Sequence, residues 1–131
     1  MEIICLDTSV LIEFYRNKDK SKSFWFKLAE LYKFNIPSIV KYEILRGDKK
    51  KDEFWYKIFN HTTILSFDSD CSEFASEIYK RLKLSNQLID TDDLLIAATA
   101  MKNNFKIATF NGEHFKRIEG LTVITPKDLN E

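Results

Sequence analysis

A short, almost continuously apolar run at the start of the chain constrains the fold more than any other feature. Residues 2–6 (EIICL) lack the alternation of polar and apolar positions, which is typical of a strand buried on both faces of a parallel sheet. The runs 106–110 (KIATF) and 121–125 (LTVIT) and the alternating stretch 63–67 predict further strands. Because helical patterns separate these strands, the sequence predicts an α/β domain with a mostly parallel central sheet.

The segments between the predicted strands carry apolar residues at helical spacing. Only 3 Gly and 2 Pro occur in 131 residues, which favours helices joined by short connections. Thr8 or Ser9 is expected to cap the first helix, whereas Ser38 and Gly47 are expected to cap and stop the third. Residues 35–37 are expected to form a short link or strand. The predicted helical segments are 10–15, 24–34, 38–47, 52–60, about 70–84, 91–103 and a short turn at 113–118.

Length and charge limit the functions open to the chain. Its 131 residues suit one domain, 1–131, and 20 basic residues balance 20 acidic ones, so nucleic acid would need a local basic patch. A leader pattern and a run of eighteen apolar residues are both absent, so neither export nor a membrane span is expected. Cys5 and Cys71 form no CxxC motif, which predicts neither zinc nor a disulfide and favours a reducing cytoplasm.

Several acidic residues lie where the predicted elements meet. Asp7 follows the first buried strand, and ligand sites of parallel sheets lie beyond the carboxyl ends of the strands. Asp7 could equally cap the following helix, and Glu43 could lie on a solvated helix face. Asp92 and Asp93 begin a predicted helix, where acids also favour the helix dipole. Taken singly, each acid is explained by a structural role.

Taken together, four ordered blocks of the sequence carry a family resemblance. They are LDTSVLIEF with Asp7, KYEILRG with Glu43, DLLIAATA beginning at Asp93, and TFNGEHFKRIEGL from Thr109. In order and spacing these blocks resemble the PIN-domain ribonucleases, in particular the VapC-type toxins of toxin–antitoxin pairs. The resemblance covers essentially the whole chain, and its strength lies in the set of blocks rather than in any one motif.

The resemblance implies a three-layer α/β/α domain that binds Mg²⁺ or Mn²⁺ and hydrolyses RNA. Asp7, Glu43 and Asp93 match the first three acidic positions of the family, as catalytic residues and metal ligands. Many relatives carry a fourth acid where this chain has Asn111, and some carry it at the position of His114, so Asn111 is an uncertain fourth ligand. Three converging carboxylates repel one another unless a cation intervenes, which is an independent reason to expect a metal. Supporting hydrogen bonds are expected from Thr8, Ser9 and Thr109, and metal contact is less expected for Asp90 and Asp92.

An RNA substrate, an antitoxin and a second copy of the chain are the expected partners. Arg46, Lys116 and Arg117 are the candidates for RNA contact, while the lysines at 49–51 could equally form a solvated loop. His114 is expected at the surface or against RNA, and His61 in a loop or at a strand start. The aromatic residues of 24–34 and 54–59 predict either a dimer face or an antitoxin groove, with core packing as the alternative.

Three other functions compete with a toxin nuclease. A haloacid-dehalogenase-type phosphatase also places an Asp after its first strand, but it needs a second Asp two residues later, where this chain has Ser9. A non-catalytic PIN-like module that binds RNA or protein is favoured by the missing fourth acid. A housekeeping RNA-processing nuclease is disfavoured by the short length.

Overall fold

Five parallel strands form the centre of the molecule. The computed structural model describes residues 1–51 and 53–129, and its strands pair in the spatial order β3-β2-β1-β4-β5, with every described pair parallel. The predicted α/β class with a parallel sheet is confirmed. The strands are β1 (Glu2–Leu6), β2 (Tyr32–Pro37), β3 (Thr63–Leu65), β4 (Lys106–Ala108) and β5 (Val123–Ile124).

Helices connect the strands and flank the sheet. The chain runs from β1 outward to β2 and β3, then returns past β1 to β4 and β5. Right-handed crossovers that run in opposite directions place helices on both faces, which gives the predicted three layers. The helices are α1 (Thr8–Arg16), α2 (Phe24–Ala29), α3 (Ser38–Gly47), α4 (Glu53–Asn60), α5 (Ser69–Leu84), α6 (Thr91–Lys102), α7 (Gly112–Phe115) and α8 (Pro126–Leu129), with a 3₁₀ turn at Lys20–Lys22.

The reversal of strand order between β1 and β4 positions the site. At such a switch point the connections leave in opposite directions and open a crevice beyond the carboxyl ends of the strands. Asp7 follows β1 directly and Thr109 follows β4 directly, so both lie at this point. The backbone N–H of Asp7 donates to the carbonyl of Ala108 (3.1 Å), which fixes the two strand ends side by side.

The core lies between the sheet and its helices. Ile4, Cys5 and Leu6 of β1 are completely buried, as their continuous apolar run predicts for a central parallel strand. α6 contributes small buried residues, Ala97, Ala98 and Ala100, which allow close packing of the helix. No helix within residues 1–51 or 53–129 has both the length and the apolar character needed to span a membrane.

Several predicted elements differ from the structure in their bounds. The strands predicted at 63–67 and 121–125 are Thr63–Leu65 and Val123–Ile124, and the turn predicted at 113–118 is a helix over Gly112–Phe115. The predicted helix 24–34 is wrong in its second half, because α2 ends at Ala29 and β2 begins at Tyr32. Pairing of Tyr32, Lys33 and Phe34 with β1 determines this region, and that long-range pairing overrides the local helical spacing. The predicted strand 106–110 ends at Ala108, which leaves Phe110 outside the sheet. The predicted first residue of the fourth helix, position 52, lies outside the described residues.

The helix ends also differ from their predicted caps. Asp7, rather than Thr8 or Ser9, caps α1, and Ser38 is the first residue of α3 rather than its cap. Gly47 is the last helical residue of α3 and has no positive φ, so the expected glycine stop is absent there. The sequence patterns described above do not predict α8. Its signal is the segment from Thr125 to Asp128, in which Pro126 occupies the first helical position and the Asp128 carboxylate accepts from the Thr125 N–H (2.7 Å).

Candidate active site

Asp7 is the most constrained acid of the site. It is 4% exposed, and its Oδ1 accepts a hydrogen bond from the Ser9 backbone N–H at the start of α1. Its Oδ2 accepts from the hydroxyl of Thr109, which is completely buried. Asp7 therefore caps the helix and is also held by a neighbouring strand end, so the two roles weighed for it coexist.

Burial dominates the electrostatics of Asp7. Loss of hydration raises the pKa of its carboxyl, and the hydrogen bonds from Thr109 and Ser9 lower it by less. The buried anion is thus only partly compensated by the chain itself. A cation at this position would supply the missing compensation.

Glu43 projects from α3 toward the same region. Thr8 Oγ1 donates to Glu43 Oε1 (2.5 Å), so the residue after Asp7 orients the second acid. Burial is the largest cause of the raised pKa of Glu43, followed in that direction by a hydrogen bond with Asp92 and by the charges of Asp92 and Asp93, while the Thr8 bond lowers it. The second acid therefore interacts electrostatically with the third.

Asp93, on the first turn of α6, is the third acid. Its pKa is raised first by burial and then by the charges of Asp7 and Asp90, and it is lowered by His114. His114 Nδ1 lies 3.7 Å from Asp93 Oδ2. It also lies 2.7 Å from the side-chain amide nitrogen of Asn111, so Asn111, His114 and Asp93 form one connected group.

Arg46 lies at the outer edge of the acids. Its guanidinium is 3.6 Å from Glu43 Oε2 and 3.4 Å from Asp92 Oδ2, and it is stacked over the Tyr42 ring at 5.1 Å. Asp92 thus pairs with a cation of the same chain. Asp90 is exposed at the residue before α6 and makes no side-chain cap there.

The hydroxyl groups of Ser9 and Thr109 take part in hydrogen bonds that join the ends of β1 and β4. Thr109 Oγ1 accepts from the Asn111 N–H (2.8 Å) and lies 3.5 Å from Ser9 Oγ. Ser9 Oγ in turn accepts from the Phe110 N–H (3.0 Å). Thr8, Ser9 and Thr109 therefore hydrogen-bond to the acids or to one another, while their supporting role and metal binding by the acids stay predictions.

The other predicted contacts lie farther out. Arg117 donates to the carbonyls of Gln87 (3.3 Å) and Leu88 (3.1 Å), where it ties down the connection between α5 and α6. Lys116 and the lysines at 49–51 are exposed. His61 is exposed and its ring contacts the Lys57 carbonyl (2.8 Å) at the end of α4.

The donor set suits a hard divalent cation. Among residues 1–51 and 53–129, no three His, Cys, Asp or Glu side chains already converge on one point as a preformed cage. Mg²⁺ does not require one, because it keeps several waters and uses one or two carboxylates. Asp7 raises the pKa of Asp93, and Asp93 raises that of Glu43, so the three carboxylates are close enough to interact unfavourably without a cation. The residues present therefore fit a divalent metal.

Phe110 is a feature that the sequence interpretation missed. The run 106–110 predicts it at the end of a strand, but its side chain is 46% exposed beside the site. An aromatic residue immediately after Thr109, beyond a buried strand, is the signal that could have drawn attention to it.

Comparisons with known proteins agree with this geometry. The model of the PIN domain matches residues 4–121. Ribonuclease VapC1 of Methanocaldococcus jannaschii is 35% identical over 118 residues, which cover 88% of this chain and 81% of that protein. The crystal structure of VapBC2 from Rickettsia felis bound to a DNA fragment from their promoter is similar with a TM-score of 0.77 and 26% identity, over 94% of this chain and 98% of that one. A toxin–antitoxin complex from Klebsiella pneumoniae is similar in fold, with a TM-score of 0.74 and 23% identity over 94% and 97% of the two chains.

Proposed function

Because the chain belongs to the PIN-domain family, and within it to the VapC ribonucleases, we propose that it is a divalent-metal-dependent endoribonuclease acting as the toxin of a toxin–antitoxin pair. The observation that carries this proposal is the grouping of Asp7, Glu43 and Asp93 beside the switch point of the sheet, where Thr8 donates to Glu43, the charge of Asp7 acts on Asp93, and the charge of Asp93 acts on Glu43. A purely structural set of acids would gain nothing from mutual repulsion at a partly buried site.

Asp7, Glu43 and Asp93 would hold Mg²⁺ or Mn²⁺, with the Asn111 amide as an additional oxygen donor. When bound, such an ion polarises a phosphate and lowers the pKa of water, which is the chemistry that phosphodiester hydrolysis needs. Attack of water on phosphorus breaks the bond to the 3′ oxygen, which takes up a proton. The products are a 3′-hydroxyl and a 5′-phosphate.

The remaining side chains orient these acids. Thr109 and Ser9 fix the two oxygens of Asp7, and Thr8 fixes Glu43 from the same turn of α1. Burial raises the pKa of each carboxyl, and a metal binds the ionised form, so metal affinity should increase as the pH rises.

Basic side chains around the three acids would contact the RNA backbone. Arg46 has a half-exposed side chain beside Glu43, and its planar guanidinium suits a phosphate. Lys116 follows α7 near the Asn111 and His114 group and is exposed. Arg117 would contribute from the same segment, although two of its hydrogen bonds go to the chain itself. RNA as substrate and two buried free cysteines suit a reducing cytoplasm.

Cleavage of RNA by the purified protein tests the proposal. We expect cutting with Mg²⁺ or Mn²⁺, none in excess EDTA, and loss of at least a hundredfold in rate for Asp7→Asn, Glu43→Gln and Asp93→Asn. Asp70→Asn, at the exposed start of α5, is the matched control and should cut normally. Cutting that persists in chelator would refute the metal mechanism. Metal-dependent RNA binding without any cutting would favour the non-catalytic module.

An antitoxin would bind the aromatic surface of α1, α2 and α4. Most of these rings pack on one another, such as Phe14 on Trp25 (4.6 Å) and Tyr15 on Trp55 (5.1 Å), so core packing accounts for part of the aromatic content. Phe26 and Tyr56 remain 45% and 50% exposed at the edge of this surface. Phe26→Glu and Tyr56→Glu should weaken binding of the protein encoded by an upstream reading frame and leave RNA cleavage intact.

A homodimer would use a different face. A groove of about 660 Å³ lies between α5 and the segment after α7, with Phe74, Ile78, Leu84 and Met101 in its wall. Glu73 and Arg81 at its edge provide charges of both signs, which a symmetric copy can match. Light scattering after size exclusion should give twice the chain mass for the wild type and the monomer mass for Phe74→Glu.

A further inference from the structure

A second groove opens beside the acids, along one face of α1. It has a volume of about 500 Å³ and is lined by Ser9, Ile12, Glu13, Arg16, Asn17 and Phe110. The α1 residues recur at intervals of three and four, so they form a continuous stripe that leads away from Asp7. One end of the groove thus borders the candidate active site and the other lies at the end of α1.

Phe110 forms the wall nearest to the acids. Its ring meets Phe24 edge to face, with 5.3 Å between centroids and 75° between planes, which leaves a ring face directed away from that contact. Its backbone N–H donates to Ser9 Oγ (3.0 Å), and the residue before it, Thr109, donates to Asp7. The hydrogen bonds that hold Asp7 therefore also fix the position of an aromatic ring that is 46% exposed.

The polar contacts of the groove leave Arg16 available to an anion. Glu13 is satisfied internally, because its oxygens accept from the Phe24 N–H (2.9 Å) and the Asn17 side-chain amide (2.8 Å). Arg16 is exposed and has no ion-pair partner among the described residues. The groove therefore presents a ring at one end and an available guanidinium at the other.

We propose that Phe110 stacks on a nucleobase of single-stranded RNA next to the cleaved phosphodiester, and that Arg16 contacts a phosphate farther along the same strand. This proposal rests on the proposed nuclease function and assigns it a nucleotide subsite. From Ser9 to Arg16 the helix rises by about 10 Å, enough for a nucleoside and the phosphate beyond it. Stacking on an aromatic ring suits any base, so this subsite contributes affinity and register more than sequence choice.

RNA binding and cleavage by variants of Phe110 test the subsite. Fluorescence anisotropy of labelled twelve-nucleotide RNA is measured in EDTA, which prevents cutting, and KM and kcat are measured in Mg²⁺. Phe110→Ala should weaken binding and raise KM about tenfold, the scale of losing one base–aromatic stack, with kcat changed by less than threefold. Phe110→Trp should bind like wild type, and Phe110→Leu, which keeps apolar packing against Phe24, should bind like Phe110→Ala. Tyr79→Ala removes a ring of similar exposure (44%) on α5 and should change nothing.

A set of RNAs with a single abasic site at successive positions locates the stacked base. In wild type one position should lose about tenfold in affinity, and in Phe110→Ala that position should lose nothing further. Cleavage by wild type together with unchanged KM in Phe110→Ala would overturn the subsite alone. Equal losses at the abasic position in both proteins would overturn it too, as would a loss by Phe110→Ala of antitoxin binding only. Failure of wild type to cut any RNA would instead overturn the proposed function.

Discussion

Replacing Asp7 separates its contribution as a helix cap from the energetic cost of its buried charge. Asp7→Asn keeps an oxygen that can cap α1 and removes the buried charge, whereas Asp7→Ala removes both. Asn and Asp are nearly equivalent as caps, so little helix stability is lost in the Asn variant. Because burial raises the pKa of Asp7, ionisation at neutral pH works against folding, and the Asn variant escapes that cost. Without metal, Asp7→Asn should therefore melt at or above the wild-type temperature.

Comparison with the Ala variant isolates the cap. Asp7 accepts on both of its oxygens, from the Ser9 N–H and from the Thr109 hydroxyl, whereas Asn has one oxygen and keeps only the cap. Losing the cap costs about 1 kcal/mol, so Asp7→Ala should be about 1 kcal/mol less stable than Asp7→Asn, or roughly 3–5 °C lower in Tm for a domain of this size. Both variants lack the charge and the acceptor for Thr109, so neither contributes to the difference between them.

Thermal unfolding followed by circular dichroism, in EDTA and then with metal, measures both effects. Metal at a hundred times its Kd should stabilise wild type by about 2.7 kcal/mol and stabilise Asp7→Asn much less. The reasoning is refuted if Asp7→Asn melts several degrees below wild type in EDTA, together with Asp7→Ala. That result would mean that the Asp7 charge stabilises the metal-free fold.

Three further outcomes follow from the same geometry. The raised pKa values of Asp7, Glu43 and Asp93 mean that the folded protein binds more protons than the unfolded chain above the ordinary values of 3.8 and 4.5. The stability of the metal-free protein, measured by urea unfolding, should therefore rise as the pH falls from 7 toward 5, and Mg²⁺ affinity should fall. A stability that decreases over the same pH range would contradict the raised pKa values. Arg46→Gln should raise KM for RNA and tighten Mg²⁺ binding several-fold in calorimetry, because a cation beside Glu43 competes with the metal, and unchanged values would place Arg46 outside the site. Asn111→Asp should tighten Mg²⁺ binding about tenfold and Asn111→Ala should weaken it modestly, whereas equal affinities would make Asn111 a turn residue only.

The sequence predicts the sheet better than the helix that precedes β2. The apolar composition of residues 2–6 and 91–103 is enough by itself to predict that they are buried, and both elements form as expected. In 24–34, spacing from Phe24 through Leu28 to Tyr32 satisfies the helical pattern, but Tyr32, Phe34 and Ile36 also alternate as a strand does. Pairing with β1 decides between the two patterns, and a local pattern contains no information about that pairing.

The site residues likewise divide into those that local sequence patterns place and those that only the packing of helices places. The positions of Asp7 and Thr109 follow from strand ends alone, since the carboxyl ends of neighbouring parallel strands meet at one edge. The placement of Glu43 beside Thr8, and of Arg46 between Glu43 and Asp92, depends on how α3 packs against α1 and α6. No spacing rule predicts such contacts between helices. The family resemblance indicates Glu43 as a site residue, and only the structure shows the contacts of Glu43 and Arg46.

The contacts around the acids divide into a fixed part and an exchangeable part. Asp7 is held by buried groups, Thr109 and the Ser9 N–H, whose loss would leave polar atoms unsatisfied in the core. Arg46 and His114 compensate the outer acids through pairs at 3.4–3.7 Å that are partly open to water, and such pairs contribute little to stability. Replacing the weak pairs by a divalent ion and an RNA phosphate therefore disturbs no structural hydrogen bond of the core. This division allows the chain to fold with Asp93 close enough to interact unfavourably with both Asp7 and Glu43, and still leaves the three carboxylates available for chemistry.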